Sequence, residues 1–381
     1  MEGTIQMLCD PALAGREANT ASEYQAAKAI ARQLEQMGFE PLFPSGPITP
    51  LETHAMGQPL TTYNVVMIYR VPNATDAILL GAHYDHLGYG GPHSGSLRPD
   101  TTAIHPGADD NASGVALALE TARQLRRYAR QHPSGPLALH HHLIIAAFGA
   151  EEKGLVGSKN LADTLAAHHH LPALMINLDM VGRLKDSTLT LNGTGTFREA
   201  DSLLALVNAQ HPNLHIVPVP GGYGPSDQAS FYRHNVPVLF LTTGPHPDYH
   251  TPADTPDKIN YNGLGQIASY LLTLYRTLDA NALTHQTQEE PTQTHTTFKV
   301  SLGLIPDFTY NGPGFRAGTI LPGRPSQKAG MQNGDIITQI NDTPIPNIEA
   351  YMACLNTLSK GQTITITLTR NNTSLTLTLT L

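Results

Sequence analysis

At 381 residues the chain exceeds what one hydrophobic core usually supports, so two domains are expected, and a hydrophobic content of 40% is enough to pack both. A net charge of −8 with no cluster of Lys and Arg argues against nucleic acid and anionic membrane as partners. No apolar run approaches the roughly 18 residues of a membrane span, and Cys9 and Cys354 are spaced for neither a zinc ribbon nor a disulfide framework. The first residues, MEGTIQMLCDPALAGRE, lack a basic stretch followed by an apolar one, so no signal peptide is legible. If a leader has been removed, a periplasmic or secreted location is expected.

Thr20 to Phe39 is predicted to be a helix, opened by a Thr20/Glu23 capping box and carrying Tyr24, Ala27, Ile30, Ala31 and Leu34 on one apolar face. Short β-rich runs follow at 64–69, 77–82, 143–148, 174–178 and 236–241, alternating with helical patterns near 113–130, 157–167, 198–210 and 263–278. This alternation predicts an α/β domain with a mostly parallel (mixed) central sheet and helices on both faces. Ligands in such folds bind beyond the carboxyl ends of the strands. Two histidine triplets, 140–142 and 168–170, fall where helices or loops meet apolar segments and are expected on solvated connectors.

Composition shifts near Ala280, where NALTHQTQEEPTQTHTT has almost no apolar residue, so a catalytic domain over 1–280, a linker over 281–297 and a small mainly-β domain over 298–381 are expected. The last of these ends in GQTITITLTRNNTSLTLTLTL, strict period-two alternation about Asn371-Asn372, the pattern of a hairpin with one buried face.

Five residues of metal-binding type recur at the ends of apolar runs: His83, Asp110, Glu152, Asp179 and His250. If one carboxylate bridges, they supply three ligands to each of two divalent ions and leave the open position of a catalytic site. His83 and Asp85 leave a strand on the same side, so Asp85 can accept the other imidazole N–H of His83. Asp110 lies in GADDNASG, a tight acidic loop running into a helix that Asn or Ser can cap. Glu151 and Glu152 would repel each other without a nearby cation, and their divergent directions suit one ligand and one general base. Asp179 stands alone in an apolar run, which leaves ligation or an Arg183 pair.

These motifs resemble the co-catalytic di-zinc aminopeptidase family, relatives of secreted bacterial leucyl aminopeptidase, glutamate carboxypeptidase and glutaminyl cyclase, over about residues 4–280. Leu13-Ala14-Gly15-Arg16 is similar to that family's opening. The resemblance implies a zinc-exopeptidase-like fold and two zinc ions per chain, one held by His83 and Asp179, the other by Glu152 and His250, with Asp110 bridging. It implies Glu151 as general base, Asp85 as the orienter of His83, a cis bond at Asp110-Asn111, and Tyr223 at the reaction centre, within the substrate-binding loop GGYGPSDQASF. Gly221 and Pro225 stand where secreted relatives often have cysteines, and Gln228 replaces a frequent histidine. Hydrolysis of N-terminal residues from peptides with a free N-terminus is the implied activity, through a metal-bound hydroxide. Carboxypeptidase or glutaminyl-cyclase chemistry uses the same metal set, although no Arg-rich pocket for a terminal carboxylate is evident. A non-catalytic peptide-binding protein would have lost ligands, and all are present. The C-terminal run PSQKAGMQNGDII resembles a PDZ domain of the permuted bacterial type, with Leu302-Gly303-Leu304-Ile305 at the carboxylate-capturing loop. That implies a possible peptide ligand bound by strand addition.

Overall fold

The centre of the protein is set by four runs too apolar to face water on either side. Ala77–His83, His142–Phe148, Leu174–Leu178 and Val238–Thr242 are nearly all buried and pair in parallel. The computed structural model describes residues 1–55, 58–92, 94–287, 300–307, 310, 312–321 and 323–381. It divides into two compact units, Met1–Thr243 with Asp248–Gln288, and Gly244–Pro247 with Glu289–Leu381. Most of the expected linker lies outside the described residues.

The first unit holds a nine-stranded sheet in the order Glu40–Pro41, Gln58–Tyr69, His142–Phe148, Ala77–His83, Leu174–Leu178, Val238–Thr242, Thr188–Asn192, His215–Val219, with Ile48–Ala55 paired to Gln58–Tyr69. Gln58–Tyr69 and Thr188–Asn192 run antiparallel to their central neighbours, so the sheet is mixed. Period-two alternation sends Met67, Ile78, Leu80 and Ile145 to one face and Val66, Leu79, Ile144 and Phe148 to the other. The first face is covered by helices Ala21–Gln36, Gly114–Gln131, Ala200–Gln210 and Tyr261–Asp279, the second by Val156–Ala167 and Gln228–Tyr232. Gly81 admits no side chain, because a Cβ there would lie 2.6 Å from the Phe148 ring of the adjacent strand.

The helix expected from Thr20 spans Ala21–Gln36, and the Thr20 side chain caps it by accepting from Glu23 N. Glu23 reaches back to Asn19 N rather than to Thr20, and burial pushes its carboxyl up to about 8. Strands Ile48–Ala55, Thr188–Asn192 and His215–Val219 have no counterpart in the expectations. They lie at the margins of the sheet, where His, Pro and Thr interrupt the apolar signal.

The first histidine triplet corrects the expectation of a solvated connector. Main-chain N–H groups of His140 and His141 both donate to Asp279, which is almost wholly buried at the end of the last helix. Their Nδ1 atoms lie 3.4 and 3.2 Å from its oxygens, and His142 Nδ1 accepts from Val71 N. His168 to His170 are exposed, as expected.

The second unit is an antiparallel sheet ordered Leu304–Pro306, Phe315–Ile320, Ile336–Ile340, Thr363–Arg370, Thr373–Thr380, with Thr343–Pro344 paired to Ile336–Ile340. The last two strands form the expected hairpin, turned by Asn371 and Asn372 at φ 49° and 61°. Ile364, Ile366 and Leu368 point into a core with Phe315, Ile337 and Tyr351. Arg370 clamps the buried Asp335 through two bonds of 2.7 Å.

The His141–Asp279 pair makes stability depend on pH. The hydrogen bond from the His141 imidazole to the Asp279 carboxylate outweighs burial and raises the imidazole above its usual value. The stabilisation is therefore complete below the unfolded value near pH 6.5 and is lost as pH rises through the higher folded value. In chelator, His141→Gln should lower the melting temperature by about 2–4 °C at pH 5.5, and by clearly less at pH 8.5. Equal losses at both would contradict the linkage.

Candidate metal centre

Parallel strands deliver their carboxyl ends side by side, and the candidate residues sit there. His83 is the last residue of its strand, Glu151 and Glu152 follow Phe148, Asp179 follows Leu178, and His250 lies in the loop after Thr242. Asp110 enters from the turn before helix Gly114–Gln131. Gly107 starts this turn at φ 57°, where a Cβ would lie 2.3 Å from Asp110 O and 2.6 Å from the His86 ring, so only glycine fits. The Asp110-Asn111 bond is cis, as the resemblance implied. Asn111 then caps the helix, its Oδ1 accepting from Gly114 N and its Nδ2 donating to Leu178 O.

Two buried charges grip this turn. Arg16 donates to the carbonyls of Leu8, Tyr84, Pro106 and Gly107, tying the N-terminal segment to the segments that carry His83 and Asp110. Asp254 Oδ2 accepts from the N–H groups of Asp109 and Asp110 at 2.9 and 3.0 Å, and Arg183 donates to Asp254 Oδ1 at 3.3 Å and to Asp248 Oδ2 at 3.1 Å. Asp248 also accepts from Lys258. Of the two alternatives open for Asp179, Arg183 is thus engaged with other carboxylates.

Asp110 lies between two histidines. Its Oδ1 is 3.2 Å from His83 Nε2 and its Oδ2 is 3.1 Å from His250 Nε2. Asp179 Oδ1 lies 3.5 Å from His83 Nε2, and Glu152 Oε2 lies 3.2 Å from His250 Nε2. Metal bonds of about 2.1 Å at tetrahedral angles separate ligand atoms by about 3.4 Å, so both sets have the spacing of atoms around a divalent cation. The donor set agrees: every ion pair that Asp110, Glu152 and Asp179 make among the described residues is with a histidine. Ligand atoms of His83, Glu151 and Asp179 also fall within 4.8 Å of one another, as do those of His86, Asp110 and Glu152.

Main-chain groups orient the imidazoles. Nδ1 of His83 lies 3.2 Å from Asp85 O and 3.7 Å from the Asp85 carboxylate, and Nδ1 of His250 lies 3.1 Å from Gly95 O. In both rings this turns Nε2 toward the carboxylates. The Asp85 carboxylate accepts from the N–H groups of Glu151 and Glu152, at 3.0 and 3.4 Å. Tyr249 stacks on His250 at 3.8 Å.

Burial and mutual charge split the acids. Burial resists ionisation of Asp110 and Glu152, but the histidines outweigh it, holding Asp110 well below the usual carboxylate range and Glu152 at about 2. Burial also works against charge on His83 and His250, yet their carboxylate neighbours raise both well above the usual imidazole range. Glu151 goes the other way, pushed well up by burial and then by Asp227, Glu152 and Asp179 against the lowering influence of His83. Asp227, buried nearby, is pushed up to about 7.

Several residues of this site were not singled out from sequence. Ser226 donates to Asp179 Oδ2 at 2.7 Å, and Asn177 donates to Ser226 and to Gln228, the residue that replaces a frequent histidine. His86 stands 2.9 Å from Glu152 Oε1. The second histidine of His83-Tyr84-Asp85-His86 was a visible signal for it, whereas Ser226, Arg16 and Asp254 act through contacts that no local spacing announces. Tyr223 packs edge-on against Tyr232 at 4.7 Å.

Comparison with known proteins accords with this geometry. Residues 64–275 match Peptidase family M28. The chain belongs to that family. Residues 308–381 match the PDZ domain, so this M28 protein carries a PDZ domain at its C-terminus. It is 28% identical over 241 residues to YfbL of Escherichia coli, covering 55% of this chain and 69% of that protein. It is also 28% identical over 215 residues to a probable leucine aminopeptidase of Arthroderma otae, covering 54% of this chain and 55% of that protein. The chain thus spans about half the length of that aminopeptidase. Among solved structures, BSAP, a zinc aminopeptidase from Bacillus subtilis, shares the fold with a TM-score of 0.55 at 19% identity, covering 72% of this chain and 93% of that one. No helix among the described residues is long and apolar enough to cross a membrane.

The grip on the Asp110 turn is testable. Asp254→Ala leaves two buried N–H donors and Arg183 without this acceptor, so urea unfolding of the chelated protein should show a loss of about 2–4 kcal/mol. Zinc affinity, read by chelator competition, should fall as well. Unchanged stability and affinity would show that the turn holds itself.

Proposed function

We propose that this M28 protein is a zinc-dependent aminopeptidase with two zinc ions per chain. One observation carries the reading: Asp110 presents each oxygen to a different histidine, which supports a bridging carboxylate between two ions. His83 and Asp179 would complete one ion's ligands, and His250 and Glu152 the other's. Zinc, when bound, would activate water near neutral pH and polarise the scissile carbonyl.

The chain's own residues supply the rest. Glu151 is held by Asp85 at its main-chain N–H and, though near His83 and Asp179, makes no ion pair with a histidine among the described residues; a carboxyl raised by burial can take a proton and release it to a leaving amine. Ser226 steadies Asp179, and Gly95 O steadies His250. Tyr223, in the Gly-rich loop before Ser226, would donate to the developing oxyanion. The PDZ domain (298–381) would bring peptides to the chain by strand addition, while the first unit carries the chemistry. A periplasmic or secreted site of action fits a peptidase of this kind if a leader precedes the chain.

Purified protein should contain up to two zinc ions per chain by elemental analysis, and chelation should abolish cleavage of aminoacyl amides until zinc is restored. Full turnover in metal-free protein would refute the reading. Cleavage of N-blocked peptides from their C-terminal end would point to carboxypeptidase chemistry instead.

The adjacent glutamates should separate by role. Glu151→Gln is expected to keep its zinc but lose at least about 100-fold in kcat, whereas Glu152→Gln should lose zinc affinity too. The reverse pattern would exchange the two assignments.

A further inference from the structure

His86 has no part in the five-ligand count, yet its ring is fully buried within the cluster. Nδ1 lies 2.9 Å from Glu152 Oε1 and 3.9 Å from Asp110 Oδ2. Nε2 is buried with no protein partner among the described residues. A hydrogen on Nε2 would therefore be a buried donor with no protein acceptor, which is unfavourable, whereas a hydrogen on Nδ1 points at a carboxylate oxygen. The hydrogen belongs on Nδ1. Nδ1, the nitrogen that faces Glu152, then acts as a donor and offers no lone pair to an ion there.

The backbone holds the ring in that place. His86 N–H donates to Arg16 O and Gly88 N–H to Gly15 O, both at 3.2 Å, so the family-like opening Leu13-Ala14-Gly15-Arg16 pins the segment. The ring lies over Gly107, where any Cβ would come within 2.6 Å of it. Glu152 thus has one oxygen committed to His86, while the other, Oε2, faces His250 Nε2 at 3.2 Å.

We propose that His86 is a positioning residue: its Nδ1–H fixes Glu152 as a one-oxygen ligand and so sets the affinity of the second zinc ion. The inference rests on the two-zinc reading above. Hydrogen bonds to ligating groups typically change metal affinity by 10–100-fold when removed.

The test is a stepwise zinc titration of the full-length chain against a competing chelator. His86→Phe keeps an aromatic ring, somewhat larger, but cannot donate; His86→Asn places an amide N–H near the position of Nδ1; His86→Gln extends its amide toward Nε2 instead. The Phe and Gln variants should bind the second zinc about 10–100-fold more weakly than the parent, with the first ion within about 2-fold. The Asn variant should recover most of the loss. Melting of the chelated proteins separates a folding defect from a binding one, and if Phe unfolds, the contrast between Asn and Gln decides. Second-ion affinity equal to the parent's in Phe or Gln, or an Asn variant as weak as Gln, would overturn the proposal. A parent chain that takes up only one zinc would instead overturn the two-zinc reading on which the role depends.

Discussion

Like-charged carboxylates held together out of water are the condition around which the catalytic unit is arranged. Asp110, the adjacent Glu151 and Glu152, and Asp179 arrive from three separate segments, and in an apolar interior their repulsion would drive them apart or protonate them. His83, His86 and His250 supply part of the compensation, and bound zinc would supply the rest. The surrounding structure keeps the acids from relaxing. Asp85 accepts from the turn of the two glutamates, Ser226 holds Asp179, and Asp254 with Arg183 holds the main chain at Asp110. Glu151, with no histidine partner of that kind, is left with its proton affinity raised.

This explains how much was legible in the sequence. The strand runs announce themselves because they are buried on both faces, and His83, the Glu151-Glu152 pair and Asp179 stand at or just beyond the ends of such runs. His83, Glu152 and Asp179 could be placed at one sheet edge from that alone. The five helices expected near 20–39, 113–130, 157–167, 198–210 and 263–278 came within a few residues of their observed bounds, whereas the short Gln228–Tyr232 had no counterpart in the expectations. The marginal strands did not, since Thr188–Asn192 and His215–Val219 are specified by pairing with neighbours rather than by their own composition.

The contacts that hold the site are of a different kind. Arg16 sits in a segment whose resemblance to a family opening is visible, but nothing local says that its guanidinium serves four carbonyls. Asp254 reads as a turn residue and acts 144 positions away, on Asp110. The triplet at 140–142 looks like a polar connector, yet the main chain of His140 and His141 binds the buried Asp279. In each case a polar side chain satisfies a distant main-chain group, and one-dimensional pattern carries no record of that. The PDZ unit was easier, because its closing hairpin is specified locally by alternation and by two asparagines at the turn.

The spread of the site along the chain also bears on how it comes into being. Its candidate ligands run from His83 to His250, and the clamp on the Asp110 turn reaches from Arg16 to Asp254. No early fragment of the sheet contains either of the proposed three-ligand sets, since His250 and Asp179 arrive with late strands and Asp110 needs both ends of the unit. Pairings of such separation form slowly and late. Metal then has little to bind in the unfolded chain or in a half-formed sheet, and its affinity is directed almost entirely at the finished structure. Ions that recognise only the last arrangement to form slow its unfolding far more than they hasten its folding.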